Sequence, residues 1–295
     1  KCEGMQDTKR RGVLYREITR ILKCKQPKCF LLENVRGLLL HDDGRTFDVI
    51  RKEFEDCGYH VQYELINAVN LLPQERNRLY IVGIRNDLVE SGCRYAFPTL
   101  PNLRRGVKDI IMQQQQQQEL SKEEIVKLTL TAHQLSKVRQ QTYTKKFPEA
   151  RFLCDLSLPA KTIQSSYSSY MVGSQFVPVL DNDDDNDTLK STMKISHDDE
   201  SIEWRRFSQR EASRIQGFPE TFHLCSQRAY HMIGNAVAPP VVVMIAAPLL
   251  VRVIGLTMNN NDHDLGWKVA RELLIEASPN DSRRIELIVT KLNNI

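Results

Sequence analysis

The chain has 295 residues, 41% hydrophobic and 26% charged, an ordinary soluble globular composition with enough chain for one large domain or two small ones. Its seven cysteines form no CxxC pair and no metal-type cluster, which argues for free thiols in a reducing compartment rather than a disulfide scaffold. The net charge of +4 is unevenly spread: Asp181 to Glu203 holds nine acids and two lysines, about −7, and leaves the remainder near +11. A basic body fits a polyanionic partner, but charge alone favours the simpler reading of solvated helix faces.

In chain order, Gly12 to Cys24 places Val13, Leu14, Ile18, Ile21 and Leu22 at helical spacing, with Pro27 as the stop. Lys28 to Leu32 reads as a short strand. Thr46 to Cys57 is a second amphipathic helix, with Phe47, Ile50 and Phe54 on one face and Gly58 at its end. Tyr59 to Asn67 and Leu79 to Ile84 are further strands, so the order is that of an α/β sheet. Residues 88 to 205 lack regular alternation and are expected to form a smaller inserted domain. That region carries the glutamine tract Gln113 to Gln118, a capping box at Ser121 and Glu124 opening a helix through Leu135, and the acidic insert Asp181 to Thr188. Regular structure returns with FSQREASRIQGFP, where Ser208 and Glu211 form a capping box, Ala212 and Ile215 an apolar face and Gly217 the stop. The uncharged run from Ile233 contains Pro239, Pro240 and Pro248 and meets Arg252, which favours a core helix over a membrane span. A polar linker and two helical segments, Leu265 to Ala277 and Ser282 to Leu292, complete the chain.

The stretch FLLENVRGLL ends an apolar run on Glu33 and Asn34. At the end of a parallel strand an acid would face the edge where α/β sheets bind ligands, partly desolvated and able to share a proton; capping the next turn is the simpler use. PQERNRLYIVGIR places Arg76 and Arg78 two apart before a strand, a fork suited to phosphate or a carbonyl oxygen if both point one way.

ENV at 33–35, QERNR at 74–78, REASRIQGFP at 210–219 and GNAV at 234–237 occur in the order of the cytosine-C5 DNA methyltransferases, and GMQDTKRRGVLYREITRIL resembles the segment after that family's catalytic loop. The resemblance covers residues 1 to about 255. It implies a partial Rossmann-like, S-adenosylmethionine-dependent methyltransferase fold with an inserted target-recognition domain. The implied division is 1–90 and 207–256 for the catalytic α/β domain, 91–206 for recognition and 257–295 for a helical extension. It implies that Glu33 holds a flipped cytosine through N3 and the exocyclic amine, that Arg78 contacts O2, and that Arg76 supports the site. Gly234, Asn235 and Ala236 would lie beside the S-adenosylmethionine cofactor. KTIQSSYSSY resembles the family's recognition element, which assigns Thr162, Ser165 and Ser166, with Ser168 and Ser169, to DNA.

The family's FxGxG loop and Pro-Cys nucleophile do not occur in the sequence, and Cys2 in KCEG matches the segment after that motif. With Lys1 in first place, the expectation is a fragment whose missing N-terminal half carries those motifs, inactive alone. Two other readings stand beside the DNA enzyme: a tRNA-directed cytosine-C5 methyltransferase of the same family, and a nucleic-acid-binding module without catalysis. The glutamine tract and acidic insert suggest a eukaryotic source, for which nuclear localisation is expected, and cytoplasmic localisation otherwise.

Overall fold

Alternation of amphipathic helices with apolar strands produces a helix-covered sheet in the computed structural model. The structure describes residues 14–103, 105–108, 110–111, 120–169, 173–179, 195–224 and 228–255. The segment before Leu14, the glutamine tract, the acidic insert, Cys225 and the two helices expected beyond Asn259 lie outside the described residues. The chain forms two compact units. The first takes the described residues up to Asn67, Asn77–Thr99 and those from Val242; the second takes Ala68–Arg76 and Leu100–Val241. By compactness, therefore, residues 207–241 group with the middle of the chain.

In the first unit, helix α1 (Tyr15–Lys25) is followed by β1 (Cys29–Val35), α2 (Arg45–Glu55), β2 (Tyr59–Asn67) and β3 (Asn77–Arg85). Gln26 closes α1 in the left-handed region at φ 44°, immediately before Pro27. The sheet order is β1-β3-β2, and β3 is antiparallel to both neighbours. This corrects the parallel strand expected at Glu33: among the described residues β1 pairs only with β3, which returns between β1 and β2. Glu33 also lies inside β1, opposite Tyr80, two residues before the strand ends at Val35.

Side chains alternate across a strand, so one sheet face carries Leu79, Ile81, Tyr59 and Val61. These pack with Phe47, Ile50 and Phe54 of α2 and Tyr15 and Leu22 of α1. Burying each large apolar side chain contributes about 1.5–3 kcal/mol. Phe30 crosses β3 at Gly83, where a Cβ would come within 2.1 Å of its ring, and meets Phe54 and Tyr59 at centroid distances of 5.5 and 5.2 Å. That close approach is why a glycine stands inside β3.

The second unit has little regular strand. It contains α3 (Lys122–Leu128), α4 (Ala132–Gln140), the paired β4 (Val177–Pro178) and β5 (Trp204–Arg205), α5 (Gln209–Gln216) and α6 (Ala229–Asn235). The helix expected to run from Ser121 through Leu135 is two helices. Thr129 bridges to Arg205, and the Leu130 N–H donates to Trp204 O at 2.8 Å, so tertiary pairing takes the backbone out of the helix. A second capping box, Thr131 with Gln134, restarts it. The unit's core joins Ile163, Tyr167, Phe207, Ala212, Ile215 and Ile233, all almost fully buried. Helix α7 (Pro239–Gly255) follows. The apolar stretch Ala229–Val253 is long enough to cross a membrane by length and composition alone. It is half buried, and non-helical backbone at residues 236–238 separates α6 from α7.

Candidate active site

Because Leu79 and Ile81 face the helices, Arg78 and Tyr80 point to the opposite face of the sheet. Glu33 lies directly across from Tyr80 and diagonally from Arg78, within reach of a long side chain. The Arg78 guanidinium forms an ion pair with Glu33, Nε to Oε1 at 3.0 Å, and donates from Nη1 to Asn77 O at 2.9 Å. Their side chains keep 15% and 22% of their exposure, so the pair is held by the sheet yet reachable by a ligand. A carboxylate and a guanidinium side by side present an acceptor and a planar donor fork at fixed spacing. That arrangement suits the polar edge of a planar heterocycle carrying donors and acceptors together. Asn34 is exposed, and its Oδ1 accepts from the Val35 N–H at 2.8 Å, a local turn contact.

Arg76 has a different setting, wholly within the second unit. It is 3% exposed. Its Nη2 donates to Ala236 O at 2.6 Å and to Gly234 O at 3.1 Å, and its Nη1 to Ile163 O at 3.4 Å. The fork that the sequence offered for phosphate is here directed at three backbone carbonyls. Gln216 at the end of α5 donates to the same Ala236 O at 2.9 Å. Thr162 donates its hydroxyl to Glu75 O at 2.6 Å, and Lys161 pairs with Glu75 at 2.7 Å. Four separated stretches, QERNR, KTI, RIQG and GNAV, thus meet around one guanidinium.

The expected cofactor and DNA residues divide by exposure. Gly234 is buried against residues 164 and 165: a Cβ there would lie 2.2 Å from Ser165 N and 2.3 Å from the Gln164 carbonyl carbon. Ala236 supplies the carbonyl shared by Arg76 and Gln216. Asn235 is exposed, with its amide 3.2 Å from His231 Nε2. Ser166 is exposed and Ser165 half-buried. Gln216, fully buried, was not among the residues singled out from the sequence. Its signal was a polar residue beside Ile215 on the buried side of a short helix.

Cys29, Cys57, Cys93 and Cys154 all have thiols pushed up by burial, which is opposite to the activation a nucleophile requires. Below the node, Glu211 is completely buried and pairs bidentately with Arg205, both contacts at 2.8 Å. Burial works to lower the Arg205 pKa, but the charge and hydrogen bonds of Glu211 outweigh it and hold the guanidinium above its ordinary value.

Comparison with known proteins agrees with this arrangement of motifs. The chain is 33% identical over 256 residues to the Type II methyltransferase M.SsoII of Shigella sonnei, covering 84% of this chain and 59% of that protein. It is 34% identical over 257 residues to the Type II methyltransferase M1.ScrFI of Lactococcus lactis subsp. cremoris, covering 84% and 57%. The chain therefore spans somewhat under three-fifths of the length of these two relatives. Its fold is like that of the S. pombe Dnmt2 methyltransferase crystal structure, with a TM-score of 0.53 at 17% identity over 82% of this chain and 73% of that one. The C-5 cytosine-specific DNA methylase family matches residues 1–250, and this chain belongs to that family.

Proposed function

We infer that this chain is the base-holding and DNA-recognising part of a DNA cytosine-C5 methyltransferase. The observation that carries this reading is the Glu33–Arg78 pair, 3.0 Å apart on a reachable sheet face in a chain of that family. Cytosine presents O2, N3 and the exocyclic amine along one edge. Arg78 donates to O2, and Glu33 engages N3 and the amine. Holding a proton at N3 while O2 is hydrogen-bonded withdraws charge from the ring, so that C6 accepts a nucleophile and C5 becomes electron-rich. The target base must leave the stack to reach these groups.

S-adenosylmethionine, the methyl donor of the reaction, supplies an electrophilic methyl group when bound. In this chain the fit falls to Asn235: its amide is exposed, whereas Gly234 and Ala236 are engaged in packing and in the Arg76 node. The thiols of Cys29, Cys57, Cys93 and Cys154 do not fit the nucleophile, so it is taken to come from other polypeptide. The Rossmann-like sheet with an inserted recognition domain belongs to the same proposal. It is supported by the helix-covered sheet of the first unit and the strand-poor second unit that carries KTIQSS. The direct test is methyl transfer from labelled S-adenosylmethionine to duplex DNA and to tRNA, by this chain alone and by this chain joined to whatever coding sequence adjoins it. The expected result is labelled 5-methylcytosine in DNA from the joined protein alone. Labelling of tRNA without DNA would replace the reading by an RNA-directed one.

A further inference from the structure

The second unit contains a cavity of about 630 Å3 away from the Arg76 node, in the size range of small-ligand sites. It opens between α3 and the start of α5. Leu128, Leu224 and the Tyr230 ring form an apolar wall, and Lys127, Arg206 and Arg210 bring three positive charges. Glu124 is the one acid in the lining, and it is committed to the N-cap of α3, where its Oε2 accepts from Ser121 N and Oγ at 3.0 Å each. The Tyr230 hydroxyl donates to Phe207 O at 2.6 Å, so the cavity meets the ring rather than the polar tip. Burial chiefly pushes that phenol up to about 12, and it stays neutral at ordinary pH.

The two guanidiniums are oriented by backbone carbonyls. Arg206 donates to Ser168 O at 2.9 Å and Lys127 O at 3.2 Å, contacts that orient its guanidinium. Arg210 donates to Phe222 O at 3.3 Å and lies 4.0 Å from Glu220, a carboxylate that Arg214 engages more closely at 2.7 Å, so two guanidiniums share one acid. Lys127 is exposed on α3. An oriented cationic cluster beside an aromatic and aliphatic wall matches a phosphate ester carrying a flat, weakly polar group. Arg206 is tied directly to the backbone of Ser168, in the serine loop that follows KTI.

We propose that this cavity seats one nucleotide unit of a DNA strand, its phosphate on Lys127, Arg206 and Arg210 and its base or sugar against Tyr230, Leu128 and Leu224. Its lining shares no residue with the Glu33–Arg78 pair. It rests on the proposed function only for the choice of DNA as the polymer.

The test is the affinity of the chain for a fluorescently labelled DNA duplex as a function of salt, for wild type, Lys127→Glu and Leu224→Trp, with Lys137→Glu as a charge-matched control on α4. Lys127 and Lys137 are both exposed, so neither substitution disturbs a core. Lys127→Glu is expected to weaken binding roughly five- to tenfold at low salt and to reduce the salt slope by about one. Leu224→Trp, which fills the cavity, is expected to weaken binding with the slope kept, and Lys137→Glu to do less than about half as much as Lys127→Glu. DNA binding that neither cavity variant weakens beyond the control would overturn the cavity while leaving the methyltransferase reading intact. Weakened binding of free deoxyadenosine monophosphate without any change for DNA would overturn the strand as the occupant. Cavity-dependent DNA binding by a protein that transfers no methyl group would retain the cavity and remove the proposed function.

Discussion

Arg76 and Arg78 stand two residues apart and have opposite physical roles. Arg76 is buried and directs its fork at three carbonyls, one of them Gly234 in the last turn of α6 and one Ala236 in the loop that follows. Arg78 is partly accessible and pairs with a carboxylate. Hydrogen bonds from a charged group contribute about 1.5–3 kcal/mol each, and truncation also leaves the carbonyls without this donor. Arg76→Ala is therefore expected to lower unfolding free energy by about 3 kcal/mol or more, and Arg76→Lys by nearly as much, because an ammonium lacks the planar fork. Arg78→Ala is expected to cost about 1 kcal/mol or less, as for a partly exposed ion pair. Urea titrations of the three variants check this contrast, and equal losses for Arg76→Ala and Arg78→Ala would contradict it. The sequence supplied both arginines but not their difference. Spacing shows that two side chains can share a direction, whereas burial is decided by residues 163 and 234–236, far away in the chain.

At the scale of elements, α5 concentrates the stability of the second unit in a few polar groups. Glu211 accepts from the Ser208 N–H at 2.7 Å in the capping box and also neutralises Arg205. Removing one member of a buried ion pair costs about 3–5 kcal/mol, since the other charge is left uncompensated. Glu211→Gln should lower stability by that order, and Arg205→Met should do the same, both read by denaturant unfolding. Gly234→Ala pushes a Cβ to 2.2 Å from the Ser165 backbone, and backbone cannot yield as a side chain does. A loss above about 2 kcal/mol is expected for it. The capping box at Ser208 and the stop at Gly217, with φ 85°, were legible because both are written within one turn of chain. The break at Thr129 was not, because it depends on β5, 75 residues later. The bounds of β2 were legible, whereas β1 runs three residues past its expected end to Val35. Strand partners were not legible: antiparallel pairing of β1 with β3 is a non-local choice that alternation of apolar residues cannot specify.

For the molecule as a whole, stability should fall at both extremes of pH. Glu220 is held below its ordinary value, chiefly by the Arg214 hydrogen bond at 2.7 Å. A depressed carboxylate contributes above its unfolded pKa, near 4.5, and the contribution is lost as pH falls through the folded value. Glu220 keeps 43% of its side-chain exposure, so the acid-side loss from this group is small. Tyr167 and Tyr230 are shifted upward chiefly by burial, Tyr230 to about 12. A raised phenol contributes fully below the unfolded value of 10.0, and that contribution is lost as pH rises from there through the folded value. Thermal melts from pH 3 to 12 should show a plateau between these flanks. Tyr230→Phe should move the alkaline edge, and an unmoved edge would contradict the assignment. The family was legible from four short motifs because each carries local chemistry. The meeting of three of them, with KTI, around Arg76 required the fold.

The central claim is that Glu33 and Arg78 together hold the target cytosine. The measurement that tests it most directly is C5 methylation of duplex DNA, read by bisulfite conversion, for the protein carrying this chain, in the wild type, Glu33→Gln, Arg78→Ala and the double variant. The account predicts that each single variant loses about a hundredfold or more in kcat/KM with folding retained, and that the double variant loses little beyond either one, because the two groups act as a unit. Methylation at the wild-type rate in Glu33→Gln, or losses that simply multiply in the double variant, would contradict it.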